Sequence, residues 1–252
     1  MKAFVIGWPI AHSRSPAMIN AAFRAMGIDA VMEPRAIPPA DLSSAAIRAL
    51  QPLGMSVTIP HKEAVIALCD ERSPEVDAIG AANCLEFTGG KIIAHNTDAG
   101  GFVDSLGFSP RHAVLLGAGG AARAVAYGLS AIHVDVVARR PATWCASHAW
   151  NELPHLLARA DLLVDCTSAG LDPTAELDVP LHALPDRATV ATLIYHQRTK
   201  LLERAAALGY STLDGRGMLV HQGARALAIW TGKSAPIEVM SRALDDSLVK
   251  NE

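Results

Sequence analysis

Three groups of residues in this chain are spaced to do chemistry. Lys62 follows a short apolar run, Gly54 to Ile59, and the pair Pro60-His61; Asp98 follows a second run, Lys91 to His95, and Asn96-Thr97. A lysine in the first turn of the next helix is set against the positive helix N-terminus. That field and partial burial favour the neutral amine, which suits a lysine to exchange a proton with a hydroxyl. A solvated surface lysine is the plain alternative, as a helix-start carboxylate is for Asp98. Both residues fall at strand-to-helix junctions, where open α/β sheets gather their active sites. Ser13 and Ser15 precede or meet Pro16, with Ser15 as N-cap and Pro16 in the first turn. Hydroxyls and free N–H groups at such a helix mouth cap the helix and also suit a carboxylate. The third group is Gly117, Gly119 and Ala122, in G-x-G-x-x-G/A spacing after the apolar run Ala113 to Leu116. Gly117 permits a tight turn, Gly119 lets backbone approach a pyrophosphate, and Ala122 lets helix and strand pack closely. A glycine turn without ligand is the alternative; the strand before and the helix after favour a dinucleotide.

These residues need elements to hold them. Strands are expected at Lys2 to Ile6, Ala30 to Ile37 and Gly54 to Ile59, with helices from Ser15 to Gly27 and from Pro39 to Leu50. Gly89-Gly90 between Asn83 to Phe87 and Lys91 to His95 is a two-residue hairpin signal. A helix follows from Asp98 to Leu106, and Gly107 to Arg111 reads as a linker. From 112 to 213 the pattern repeats strand then helix, with strands at Ile132 to Val137, Leu162 to Cys166, Thr189 to Tyr195 and Tyr210 to Leu213. That pattern is an α/β fold with a parallel sheet covered on both faces, a doubly wound dinucleotide-binding unit. Arg139 and Arg140 stand where an NAD site would place an acid for the ribose 2′-hydroxyl; a 2′-phosphate, and so NADP, is favoured. Asp135 lies within its strand and does not fill that role.

The 252 residues allow two cores; half are apolar and 19% charged. A net charge of −3 gives no footing for nucleic acid or an anionic membrane. Cys69, Cys84, Cys145 and Cys166 are scattered, as reduced thiols of a cytoplasmic protein would be. No apolar run has the length of a signal peptide or a membrane span. Ten histidines fall in no metal-ligand spacing, so no metal is expected.

Read motif by motif, the chain resembles the shikimate dehydrogenase family along nearly its whole length. G-x-P-x-x-H-S-x-S-P is met by Gly7 to Pro16, and N-V-T-x-P-x-K by Ser56 to Lys62. A-x-N-T is met by Ala81 to Cys84, and N-T-D-x-x-G by Asn96 to Gly101. The glycine turn, Thr167-Ser168-x-Gly170, Tyr195, and G-M-L-V-x-Q at Gly217 to Gln222 follow in order. The resemblance implies NADP-dependent, reversible reduction of 3-dehydroshikimate to shikimate, in aromatic amino acid and chorismate biosynthesis. It implies Lys62 as acid/base with Asp98 as its partner. Ser13 and Ser15 would bind the substrate carboxylate, and Thr58, Asn83, Tyr195 and Gln222 its hydroxyls, with Asp98. Gly117, Ala118, Gly119, Gly120, Ala121, Ala138, Arg139, Arg140, Thr167, Leu193 and Gly217 match cofactor contacts. It also implies a substrate domain of 1–101 plus 215–252, an inserted Rossmann domain of 102–214, a reaction cleft between them, and a monomer or homodimer. The chain departs from the family at Ile19 (His), Ser56 (Asn), Cys84 (Thr), Thr192 (Asp) and Ala138 (Asn), and is one residue shorter after Tyr195. Two other readings share the motifs: a paralogue acting on quinate or another polyhydroxylated cyclic carboxylate, and a nucleotide-sensing protein without turnover.

Overall fold

A computed structural model describes residues 1–172 and 177–249. It divides into two compact units, Met1–Gly101 with Leu219–Glu252, and Phe102–Met218. The return to the first unit thus comes after Met218 and not after 214, and the stretch 107–111, read as a linker, lies inside the second unit.

The first unit opens with β1 (Lys2–Gly7), α1 (Ser15–Ala25) and β2 (Val31–Ala36). A single helix over 39–50 is not formed. A 3₁₀ turn, Pro39–Asp41, is followed by α2 (Ser44–Ala49), because Ser43 Oγ accepts from Ala46 N and starts a new helix. Then come β3 (Gly54–Val57), a 3₁₀ turn at Ala64–Leu68, β4 (Glu71–Arg72) and α3 (Pro74–Ile79). β5 (Cys84–Thr88) and β6 (Lys91–His95) form the hairpin over Gly89 and Gly90, whose φ of 56° and 76° suit glycine. α4 (Asp98–Ser105) carries the chain into the second unit.

The sheet of this unit runs β2-β1-β3-β5-β6-β4, with β5 antiparallel to both β3 and β6. Alternation along β1 sends Ala3 and Val5 to one core and Phe4 and Ile6 to the other. The first core is closed by Met18, Ile19 and Phe23 of α1. The helices formed by Arg216–Thr231 and Ile237–Val249 (α8 and α9 below) add Leu227, Trp230 and Met240. Ile19 is therefore a fully buried core residue.

The second unit holds β7 (His112–Leu116), α5 (Gly120–Gly128), β8 (His133–Val137), α6 (Leu153–Leu157), β9 (Leu162–Asp165), β10 (Thr189–Thr192), α7 (Lys200–Ala207) and β11 (Ser211–Leu213). α8 (Arg216–Thr231) begins here, and α9 (Ile237–Val249) ends the described chain. The strands are parallel in the order β11-β10-β9-β7-β8. This is a two-domain α/β chain with a Rossmann unit. After its first residue, His112, β7 is apolar because both faces are covered: Val114 and Leu116 enter one core, Ala113 and Leu115 the other. β7 is also where the strand order reverses, so the glycine turn after Leu116 opens at the switch point.

Candidate active site

Sheet order explains how the first unit assembles its chemistry. β5 runs against β3 and β6, so its start lies beside the ends of both. Lys62 follows β3, Asn83 precedes β5, and Asp98 follows β6. Backbone bonds hold this junction: Val57 N donates to Asn83 O at 2.8 Å, Ala82 N to Lys62 O at 2.8 Å, and Asn83 N to His95 O at 3.1 Å. Lys62 Nζ reaches Asp98 Oδ2 at 2.6 Å, with side chains 31% and 12% exposed, so the pair is shielded but reachable. Asn83 Nδ2 donates to Asp98 Oδ1 at 2.8 Å, Thr97 Oγ1 at 2.9 Å and Gln222 Oε1 at 3.2 Å. The result is a lysine–carboxylate pair beside two buried amides, with Gln222 Nε2 itself donating to Leu219 O at 2.7 Å.

Lys62 does not sit in a helix. His61 N donates to Thr58 O at 3.0 Å, and the His61 ring, 1% exposed, donates from Nε2 to Ile37 O at 2.7 Å. This buried anchor holds 59–63 as a turn, and the 3₁₀ segment starts only at Ala64. The helix expected to begin around Lys62 is therefore not formed there. Ser15 is also not an N-cap. Arg14 holds that position with helical angles, Ser15 is the first helical residue, and its N–H donates to Ser13 Oγ at 3.4 Å. Ser13 and Ser15 thus meet each other, and Thr58 lies at the end of β3 with Gly7 packed on it: a Cβ at Gly7 would come within 2.6 Å of Thr58 Cγ2.

Two residues that set this geometry had no role in the sequence reading. Asn96 Oδ1 accepts from Asp98 N at 3.1 Å and Ala99 N at 3.3 Å, and Asn96 Nδ2 donates to Ala81 O at 2.9 Å. It caps α4 and ties that helix to the loop before Asn83. Thr97 N donates to Asn83 Oδ1 at 2.7 Å and locks the amide. An Asn two residues before a helix-start Asp is the signal that could have found the cap. Gln222 is seated by Gly101, where a Cβ would stand 2.6 Å from Gln222 N. Ser56 and Cys84 face each other in the β3–β5 register, both buried. Burial pushes the Cys84 thiol well above its usual range.

In the second unit, Gly117 has φ +96° and its N–H donates to Val137 O at 2.8 Å. A side chain there would also press Thr167 Cγ2 at 3.2 Å. Gly119 is the N-cap of α5, and no atom lies within 4 Å of where its Cβ would be. Gly119, Gly120 and Ala121 are exposed at the helix mouth, while Ala122 is buried against the sheet. Ala118 is held through its carbonyl, which accepts from Trp144 Nε1 at 2.9 Å. Ala138, Arg139 and Arg140 follow β8, with both arginines exposed. Asp135 is buried and bound to His112 and Arg159, so it does not serve a ribose. Thr167 N donates to Asp165 Oδ1 at 2.8 Å. β10 ends at Thr192, shorter than expected, which leaves Leu193 and Tyr195 beyond the strand. Gly215 fits closely against Leu193 O, and Gly217 lies against Ser105. The open glycine, the helix mouth and the exposed arginines fit a phosphorylated dinucleotide.

Residues 5–85 match the model of the shikimate dehydrogenase substrate binding domain, and residues 215–244 that of the shikimate 5'-dehydrogenase C-terminal domain. The chain is 40% identical over 275 residues to a shikimate dehydrogenase (NADP(+)) of Methanopyrus kandleri, covering 97% of this chain and 94% of that one. The chain belongs to the shikimate dehydrogenase family. The shikimate 5-dehydrogenase of Thermus thermophilus, solved in complex with NADP(H) and shikimate, has a TM-score of 0.88 at 33% identity. It covers 98% of this chain and 99% of its own. A ligand-free 5-ketofructose reductase of Gluconobacter has a TM-score of 0.87 at 32% identity, covering 98% of both chains. Among the described residues no helix is long and apolar enough to cross a membrane.

Proposed function

We propose that this member of the shikimate dehydrogenase family reversibly reduces 3-dehydroshikimate to shikimate with NADPH, and that Lys62 moves the proton. The observation that carries the reading is the 2.6 Å contact between Lys62 Nζ and Asp98 Oδ2 beside the Asn83 and Gln222 amides. NADPH, when bound, supplies the hydride. As negative charge grows on the carbonyl oxygen, the Lys62 ammonium stabilises it and gives up a proton. In the oxidative direction the same amine takes the hydroxyl proton. Asp98 holds the ammonium in place through one oxygen, and a substrate hydroxyl can reach the carboxylate. Asn83 and Gln222 orient ring hydroxyls with Thr58 and Tyr195, while Ser13 and Ser15 receive the substrate carboxylate.

For the cofactor, the N–H groups at the start of α5, with Gly117, Ala118, Gly119, Gly120 and Ala121, hold the pyrophosphate. Arg139 and Arg140, next to Ala138, hold the 2′-phosphate. Thr167, Leu193 and Gly217 complete the binding surface. The enzyme works in the cytoplasm as a monomer or homodimer, on a small-molecule substrate and without nucleic acid. Absorbance at the nicotinamide band, with shikimate and NADP⁺, tests the reading. A rise with shikimate that exceeds any with quinate is expected, and no rise with fructose under the same conditions. A flat trace with shikimate would overturn it, and a response confined to quinate or fructose would move the activity to that substrate.

A further inference from the structure

One buried carboxylate of the second unit collects more imidazoles than the reaction uses. Asp135 Oδ2 meets His112 Nε2 at 2.7 Å and Arg159 Nη2 at 3.0 Å. Its Oδ1 faces His148 Nε2 at 3.1 Å and His133 Nε2 at 3.3 Å. The fold brings these together from three places. His112 opens β7 and His133 opens β8, directly opposite each other in the parallel register, with rings 4.5 Å apart edge to face. Asp135 lies two residues beyond His133 and so points to the same face. His148 comes from the loop beside β8, where its N–H donates to Val136 O at 2.8 Å and its carbonyl accepts from Ala138 N at 3.2 Å.

We infer that His112, His133, His148 and Asp135 bind one transition-metal dication of the zinc class. The ligating atoms of His112, His133 and Asp135 already lie within 4.8 Å of one another. Neutral imidazoles with one carboxylate form a borderline set that suits zinc, cobalt or nickel over calcium or magnesium. Bonds of about 2.0–2.1 Å require the ligands to draw in; His133, 60% exposed, is free to do so. His148 also has the outer partner that metal-bound histidines use, since its Nδ1 lies 3.2 Å from Glu152 Oε2. Arg159 shares Oδ2 of Asp135 with His112, which leaves Oδ1 to His148 and His133. His112 is the first residue of β7 and the glycine turn follows the last, so the metal clamps the starts of two strands and takes no part in hydride transfer.

The test is competition for zinc between the tagless, metal-stripped full chain and a chromophoric chelator, repeated with cobalt as a spectroscopic probe. One zinc per chain and a higher thermal midpoint are expected. His133→Ala, at a largely exposed position, should lose at least tenfold in affinity, and Glu152→Gln about 10–100-fold, with turnover of shikimate unchanged in both. Absence of zinc binding by the natural chain would overturn the inference and leave a hydrogen-bonded cluster only. Binding undiminished in both His133→Ala and His148→Ala would overturn it as well, because the metal would then sit elsewhere.

Discussion

Asn96 Oδ1 accepts the backbone hydrogen of Asp98 at 3.1 Å, so the carboxylate that holds Lys62 is positioned by a side chain that never touches it. Replacing Asn96 by Ala leaves the N–H groups of Asp98 and Ala99 without this acceptor in a buried place. A lost cap of this kind costs about 0.5–2 kcal/mol. Asn96→Ala should lower the denaturation midpoint and reduce kcat more than it raises KM. Asn96→Ser, which keeps a capping oxygen, should recover part of both. Denaturant unfolding and steady-state kinetics on the three proteins check this; unchanged kcat in Asn96→Ala would remove the positioning role.

Arg139 and Arg140 stand exposed after β8, and no Asp or Glu occurs from 138 to 149. Arg139→Ala should raise KM for NADP⁺ about tenfold or more, as expected for loss of a charge-assisted hydrogen bond of about 1.5–3 kcal/mol, and leave NAD⁺ nearly unaffected. Kinetics with each cofactor decide it. Equal losses for both would refute the 2′-phosphate assignment.

Asp165 ends β9 almost fully buried, and burial raises its carboxyl above the ordinary value, over the opposing bonds from Thr167. The folded chain keeps this proton at pH values where the unfolded chain has lost it. Stability from this group is therefore full below the unfolded aspartate pKa and falls as pH rises through the raised one. Asp165→Asn retains an oxygen for Thr167 N and removes the buried charge. The variant should be more stable than the natural chain at neutral pH, with the advantage shrinking as pH drops toward the ordinary aspartate range. Denaturant midpoints across that range measure it, and an advantage that is constant with pH would contradict the cause given.

Much of the fold was legible because local signals agreed with it. The run before Gly117 is a strand buried on both faces, and Gly89-Gly90 turns a hairpin. Lys62, Asn83, Asp98 and Gln222, which the family motifs single out, meet in one hydrogen-bonded cluster, although the first and last are far apart in the chain. What was not legible depends on partners distant in sequence. The lysine turn is set by His61 reaching Ile37 O, so a helix start inferred from Pro60 onward failed there. The helix over 39–50 broke because Ser43 starts a second one. Asn96 was overshadowed by Asp98, which is itself a good helix-start residue. β4 and α3, short and partnered by β6 and its neighbours, carry no periodicity of useful length. The histidines around Asp135 come from two strands and a loop, so no spacing in the chain announces them.

Turnover of Lys62→Ala with shikimate and NADP⁺ bears most directly on the proposed mechanism. Loss of the group that exchanges the proton should lower kcat by at least about a hundredfold, with KM changed only modestly. A folded Lys62→Ala protein that turns over shikimate at close to the natural rate would contradict it.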